Sequence, residues 1–293
     1  MISIVIPTYN RAHLILRAIE SIIRQSLTTW ELIIVDDGST DNTDETIKGY
    51  LSDVRVKYVK KSNSGAADSR NMGAANATQP YITFLDSDDE AEPNWLEKML
   101  RAAKENDAAV VCCGLNKFDE HGELIGTEMP YKLGPIFEHV EGRFTNGGVY
   151  LMRRDLFSRF GGFDAALKSG QHTELALRLT PYVKVQNLKV VSLHEALIRV
   201  HVHTGPRIRH NFQAIYLGTA RIIEKHEDRL KRDKGVYVLY LAIAGVNAVR
   251  TKRYHEARKY FWKALAPSGY NPRSLFRLIA SYIPGVRDRV WNT

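Results

Sequence analysis

Residues Tyr81–Glu90 read YITFLDSDDE, and this stretch decides the fold. Tyr81-Ile82-Thr83-Phe84-Leu85 has the β-branched and aromatic content of a buried strand and runs directly into Asp86, Asp88 and Asp89. In an open parallel sheet the carboxyl ends of the strands face the ligand crevice, where neighbouring carboxylates repel one another unless a cation lies between them. Oxygen ligands of this kind suit Mg²⁺ or Mn²⁺, ions that commonly bridge to phosphate oxygens. Taken alone, such a cluster can equally be a solvated turn capping the helix expected near Pro93. A second acidic strand end upstream favours the metal.

That second end is Leu32-Ile33-Ile34-Val35, which runs into Asp36-Asp37-Gly38-Ser39-Thr40-Asp41, a turn and helix N-cap for the segment around 45–51. Before it, Ile2–Ile6 reads as a strand buried on both faces, stopped at Pro7-Thr8-Tyr9-Asn10, and apolar residues at 14, 18, 19, 22 and 23 form a helical stripe within 11–25. Val54–Val59 is a third strand and Ala66–Ala77 a small-residue helix able to pack closely on a sheet. The Tyr81 strand, a helix over about 95–105 and the strand Ala108–Leu115 follow. This alternation predicts right-handed βαβ units and a mostly parallel, Rossmann-like α/β sheet flanked by helices. A turn near Glu120, a glycine-containing strand over 145–152, a short helix at 154–160 and another at 173–179 complete a domain expected to span 1–206.

From 207 to 293 the chain reads as a basic helical appendage, with 18 Lys and Arg against 6 Asp and Glu, while the whole chain of 293 residues carries a net charge of +8. A surplus of this size can meet nucleic acid, an anionic substrate or an anionic membrane surface. Spaced stacking aromatics of a nucleic-acid reader are lacking, so membrane surface ranks above nucleic acid. The helix expected over 273–282 interleaves Leu275, Phe276, Leu278, Ile279 and Tyr282 with Arg273 and Arg277; it either packs in a core or lies at an interface. Hydrophobic content of 44% places the chain among globular proteins. No apolar run reaches the roughly 20 residues of a membrane span, and MISIVIPTYNR enters a strand without a basic leader region. Cys112 and Cys113 point to opposite faces of one strand and are read as structural thiols in a reducing compartment, so a cytoplasmic, soluble or peripheral protein is expected.

With these residues placed, the chain resembles the family 2 glycosyltransferases, inverting enzymes of the GT-A fold. The resemblance rests on SIVIPTYNR, ELIIVDDGSTDNT, NSGAADSRNMGAA and YITFLDSDDEAEPNWLEKM, in that order over about the first 110 residues, with GGFD and the ELALRL helix extending it to about 180. It implies a nucleotide-sugar pocket, with a UDP-sugar the expected donor. Pro7, Thr8 and Tyr9 would line base and ribose, Asp37 would accept from the base imide N–H with Asp36 nearby, and Arg70 would approach the base or the phosphates. Asp86 would hold the ribose or sugar side, and Asp88 a divalent metal on the diphosphate. His203 would join that metal and Arg207 the phosphates, from a cluster that also contains His194 and His201. A metal suits the chemistry, because the departing diphosphate gathers negative charge as the glycosidic bond breaks.

The pattern departs where the family keeps Glu-Asp, the Asp being the base toward the acceptor. Here stand Gln171 and His172, followed by Thr173 and Glu174. Either His172 is the base, titrating near 6.5, or Glu174 has taken the role, or the base is lost and the chain only binds. Two functions follow: a metal-dependent inverting transferase acting on a saccharide or lipid-linked acceptor in cell-surface polysaccharide synthesis, or a nucleotide-sugar-binding scaffold or regulator of such a pathway. A nucleotidyltransferase is disfavoured, since no glycine-rich phosphate loop follows the first strand.

Overall fold

A computed structural model of the protein describes residues 1–202 and 211–291. The chain runs β1 (Ile2–Thr8), α1 (Ile15–Ile23), β2 (Trp30–Asp36), α2 (Thr43–Lys48), β3 (Val56–Lys60), α3 (Ala66–Asn76), β4 (Tyr81–Phe84), β5 (Glu90–Ala91), α4 (Trp95–Glu105), β6 (Ala108–Phe118), β7 (Leu124–Glu128), β8 (Tyr131–Lys132), β9 (Glu141–Gly142), β10 (Tyr150–Arg153), α5 (Arg154–Arg159), α6 (Gln171–Val185) and β11 (Lys189–His201). Five helices follow: α7 (Phe212–Leu230), α8 (Lys234–Arg250), α9 (Tyr254–Leu265), α10 (Pro272–Ala280) and α11 (Pro284–Trp291).

The main sheet has the order β3-β2-β1-β4-β10-β6-β11-β5, with β7 paired to β6. The β1–β2, β2–β3, β1–β4 and β6–β11 pairs are parallel, and β10 runs antiparallel between β4 and β6. The α/β reading of the sequence therefore holds, with β10 reversed inside the sheet and β5 and β7 also antiparallel to their neighbours. Continuous apolar runs form β1 and β2 because both of their faces are covered, and every residue of both strands is buried. The small residues of α3 let it lie close on β1: a Cβ at Gly73 would come within 2.3 Å of the Val5 side chain. Cys112 and Cys113 are free and buried in β6, and burial pushes the Cys112 thiol up to about 12.

Two differences from the sequence reading have local causes. The first helix starts at Ile15 because residues 10–12 are tied elsewhere: Asn10 N–H donates to Ser39 Oγ (2.9 Å), Arg11 N–H to Thr43 Oγ1 (3.1 Å) and Ala12 N–H to Asp41 Oδ2 (3.2 Å). The third strand starts at Val56, two residues late, because Asp53 ties Arg55 back through both its backbone and its guanidinium, leaving Val54 93% exposed.

Chain contacts divide the molecule into two compact units. The first holds residues 1–133, 137–165 and 172 to the end of β11; the second holds 134–136, 166–171 and the helices from α7 onward. The second unit has its own core, in which Phe261 stacks on Trp291 (centroids 5.6 Å apart) beside Tyr216, Ala248 and Leu278. Among the described residues no helix is long and apolar enough to cross a membrane.

Candidate functional site

Because β3, β2, β1 and β4 are parallel neighbours, their carboxyl ends share one rim. Thr8 lies opposite Asp36 and Asp36 opposite Lys60, while Phe84 lies opposite Val5, so Asp86 emerges level with Pro7. The rim thus gathers Pro7-Thr8-Tyr9, Asp36-Asp37 and Asp86-Ser87-Asp88, which the sequence had singled out separately. Tyr9 projects into solvent, 46% exposed, and offers a ring face; Pro7 and Thr8 are buried, and Thr8 Oγ1 has no hydrogen-bond partner among the described residues. A buried hydroxyl without a partner costs stability in the free protein and is ready to bond a ligand.

The two aspartates at the end of β2 have separate duties. Asp36 is fully buried, its Oδ1 accepting from Ser39 N–H (2.7 Å) and its Oδ2 from the Tyr58 hydroxyl (2.7 Å). Asp37 accepts from Ser64 N–H (2.9 Å), Gly65 N–H (2.7 Å) and the Lys61 ammonium (2.5 Å). A carboxylate has about four acceptor positions, so Asp37 ties the loop before α3 to the end of β2 and keeps acceptor capacity on Oδ2. Burial disfavours the Lys61 charge, but Asp37 and Asp68, the latter 3.1 Å away, raise its pKa above the usual value.

At the end of β4, Asp86 Oδ1 meets the Arg70 guanidinium at 2.5 Å. Burial works against the ionised carboxyl, yet Arg70 and the Gly147 backbone N–H hold its pKa below the usual range. Gly147 is needed there, since a Cβ would stand 3.0 Å from Asp86 Oδ1 and 3.2 Å from Asp86 N. Arg70 is only 5% exposed, with its guanidinium 5.8 Å from the Phe163 ring centre. The structure therefore puts Arg70 on Asp86, where the sequence had it approaching base or phosphates.

His172, at the start of α6, is 8% exposed and lies edge-on to Phe163 and Tyr150, with centroids 5.1 and 5.7 Å away. The Tyr150 hydroxyl stands 2.7 Å from His172 Nδ1 and is the ring's hydrogen-bond partner among the described residues. Burial first and the Arg70 charge second lower the imidazole pKa to about 3, against the opposing pull of Asp86. The expectation of an imidazole titrating near 6.5 is thereby corrected, since the ring is neutral at any physiological pH. Burial and the nearby Asp86 also raise the Tyr150 phenol, so its hydroxyl stays protonated.

The neighbouring pair points elsewhere. Gln171 Nε2 donates to the Leu167 carbonyl (2.9 Å). Glu174 is fully buried and grips Arg178, with Nε 3.0 Å from each carboxylate oxygen; Arg178 in turn donates to the carbonyls of Phe160 (2.5 Å) and Gly162 (2.7 Å). Gly161 and Gly162 both have positive φ (67° and 70°), so this ion pair fastens a turn that only glycines form easily. Glu174 is engaged inside the fold, against the expectation that it could take over as base.

Asp88 is half-buried, and its carbonyl accepts from Arg17 (2.6 Å). Among the described residues no group of three or more His, Cys, Asp or Glu forms a cage for a metal. The oxygen donors at the Asp86–Asp88 turn fit an ion of the Mg²⁺ kind, which takes one or two carboxylates and completes its shell with water and phosphate. His194 pairs with Glu141 (2.8 Å), and His201 with Glu90 (3.3 Å) beside the Phe118 ring. His203 and Arg207 lie outside the described residues. Reading of the sequence missed Tyr58, Lys61 and Tyr150. Register supplies Tyr58 opposite Ile34, but no local motif marks the other two.

Comparison with known proteins places this architecture. The model of "Glycosyl transferase family 2" matches residues 3–161. The putative colanic acid biosynthesis glycosyl transferase WcaA of Escherichia coli is 31% identical over 249 residues, covering 82% of this chain and 86% of that one. An uncharacterized glycosyltransferase of Rickettsia bellii is 37% identical over 124 residues, 42% of this chain, and this chain spans only 18% of that protein's length. Among solved structures, S. aureus TarS 1-349 in complex with UDP-GlcNAc superposes with a TM-score of 0.68 at 17% identity, covering 98% of this chain and 89% of that one, so the two share a fold of the GT-A type.

Proposed function

Because the chain belongs to glycosyl transferase family 2, we propose that it transfers a sugar from a nucleoside-diphosphate donor to an acceptor hydroxyl with inversion at the anomeric carbon. The observation that carries this reading is the shared rim at which Thr8-Tyr9, Asp37 and Asp86-Asp88 meet. We take a UDP-sugar as the donor, with the base stacked on Tyr9, its imide N–H donating to the remaining acceptor position of Asp37, and the Thr8 hydroxyl bonding the nucleoside. The complex of TarS with UDP-GlcNAc supports a donor of that class. Asp86, held in place by Arg70 and Gly147, would accept from hydroxyls of the ribose or sugar. Asp88 would hold Mg²⁺ or Mn²⁺, which, when bound, stabilises the charge gathering on the leaving diphosphate.

His172 is proposed as the group that takes the acceptor's proton. A bare Nε2 requires the proton on Nδ1, donated to Tyr150 Oη 2.7 Å away; the opposite tautomer would make the ring a donor toward substrate. With a pKa of about 3, the ring is about as basic as the aspartate that the family keeps in this slot, whose usual value is about 4. The acceptor is proposed to be a saccharide or a lipid-linked saccharide of cell-surface polysaccharide synthesis, in keeping with the relative named for colanic acid. Peripheral attachment to an anionic membrane from the cytoplasmic side is proposed from the basic surplus of residues 207–293.

The test is release of nucleoside diphosphate from a panel of nucleotide sugars, with and without chelator, offered with free and lipid-linked acceptors. Metal-dependent release that needs an acceptor supports transfer. Donor binding without release across the whole panel instead supports the scaffold reading, which the His172 substitution also permits.

A further inference from the structure

In the first unit, exposed large hydrophobic side chains are mostly scattered, whereas in the second they concentrate at the C-terminal end. On α10, Ser274, Leu278 and Ala280 face the core while Leu275, Phe276 and Ile279 face solvent, the last two 51% exposed. Tyr282 and Ile283, next along the chain, are also exposed, as are Val286 and Val290 of α11. Nothing in a helix's own stability calls for a solvent-facing Leu, Phe and Ile, and contiguous exposed apolar surface marks an interaction site. Beside the stripe, Trp262 of α9 is 58% exposed and its indole N–H reaches the Tyr282 hydroxyl (3.4 Å). Trp and Tyr rings with one wet and one apolar side suit a membrane–water boundary.

Charge selects the partner. Arg273 and Arg277 flank the α10 stripe, Arg289 lies on α11, and Lys259 is exposed on α9; acidic residues over 254–291 are confined to Glu256 and Asp288. A second copy meeting this face symmetrically would bring the same positive rim against itself. An anionic bilayer instead accepts apolar side chains at the headgroup boundary while its charge meets the arginines.

We propose that the solvent face of α10 and α11, centred on Phe276 and Ile279, is the surface by which the protein seats on an anionic lipid membrane. It rests on the peripheral attachment proposed above and goes further by assigning it to an inserted apolar stripe rather than to diffuse charge.

The experiment is co-sedimentation of the full chain with vesicles of phosphatidylcholine alone or mixed 3:1 with phosphatidylglycerol, with Trp fluorescence read in parallel. The wild type is expected to bind the anionic vesicles with a blue shift from Trp262, and neutral vesicles at least tenfold more weakly. Phe276→Ser with Ile279→Ser, which leaves every charge in place, is expected to lower anionic binding at least tenfold while its circular dichroism and nucleotide affinity match the wild type. Arg273→Gln with Arg277→Gln should lower binding and its salt dependence together. Wild-type binding in the serine double variant would overturn the stripe and leave charge-driven attachment standing. No binding by the wild type would overturn both. A dimer in solution that the serine variant dissolves, without vesicle binding, would assign the face to a second copy.

Discussion

Replacing Glu174 with Gln separates a structural from a catalytic role. The carboxylate is fully buried and its Arg178 partner 20% exposed, so the variant keeps the shape but leaves a cation facing an amide. Removing one partner of a buried ion pair costs about 3–5 kcal/mol; Arg178 keeps the Phe160 and Gly162 carbonyls and some access to water, which puts the expectation at the lower end, about 3 kcal/mol. For a cooperative unit of this size each kcal/mol moves Tm by about 2–4 °C, so Tm should fall by about 6–12 °C. Thermal unfolding followed by near-ultraviolet circular dichroism measures this, and UDP affinity and turnover taken well below the transition should stay near wild type. A double cycle with Arg178→Gln should show coupling of about 0.5–3 kcal/mol, as expected for groups in direct contact. An unchanged Tm together with a hundredfold loss of turnover would refute the reasoning and make Glu174 the base.

Asp88→Ala should abolish the metal-dependent part of UDP binding in calorimetry with and without Mg²⁺, and persistence of that part would remove Asp88 from the metal. Asp37→Asn should weaken UDP binding with or without metal and also destabilise the chain, because Lys61 then loses the nearer of its two carboxylate partners and keeps only Asp68; a change in stability alone would make Asp37 a purely structural residue. Gly73→Ala should cost about 1–3 kcal/mol by forcing α3 off Val5, read as a fall in the urea midpoint. His172 has a folded pKa near 3 and an unfolded value near 6.5, so the unfolded chain binds the extra proton and stability falls as pH drops below 6.5. Between pH 6.5 and 5 this amounts to about 2 kcal/mol, which urea titrations should show in the wild type and lose in His172→Gln. Turnover should show no inflection near pH 6.5, and ¹⁵N shifts of His172 should report the proton on Nδ1; a proton on Nε2 would end its candidacy as base.

Strand ends were legible because two apolar, β-branched runs each stop on aspartates, a pattern that depends only on neighbours in the chain. The parallel sheet and the common rim followed from the alternation of elements. Partners of those aspartates were not legible, because cross-strand register and loop closure supply them: Tyr58 reaches Asp36 from β3, and Lys61 reaches Asp37 from the loop beyond it. The same limit applied to Arg70, whose guanidinium turns to Asp86 from α3, a helix packed against β1 through Gly73 and Val5. Reversed β10 is a further case. Gly147 and Gly148 just before it suit a close backbone approach, yet no local pattern tells that Gly147 donates to Asp86, since that pairing needs the antiparallel register of β10 with β4.

His172 shows why a slot and its chemistry are separate readings. An aspartate in this position would place a second anion close enough to Asp86 for the two charges to interact, and close carboxylates raise one another's pKa. The neutral imidazole avoids that repulsion, and burial among Tyr150, Phe163 and Arg70 lowers its basicity to that of a carboxylate. After taking a proton, the ring would be a buried cation beside Arg70, opposed by Arg70 and stabilised by Asp86, so it would be driven to release that proton quickly. On the proposed mechanism the substitution therefore keeps base strength and changes charge, from an anion that becomes neutral to a neutral ring that becomes a cation. On that mechanism Asp86 would be a partner in the acceptor step as well as a ligand for the donor. Asp86→Asn should accordingly lower turnover by more than its loss of donor affinity accounts for, and a loss confined to affinity would restrict Asp86 to the donor.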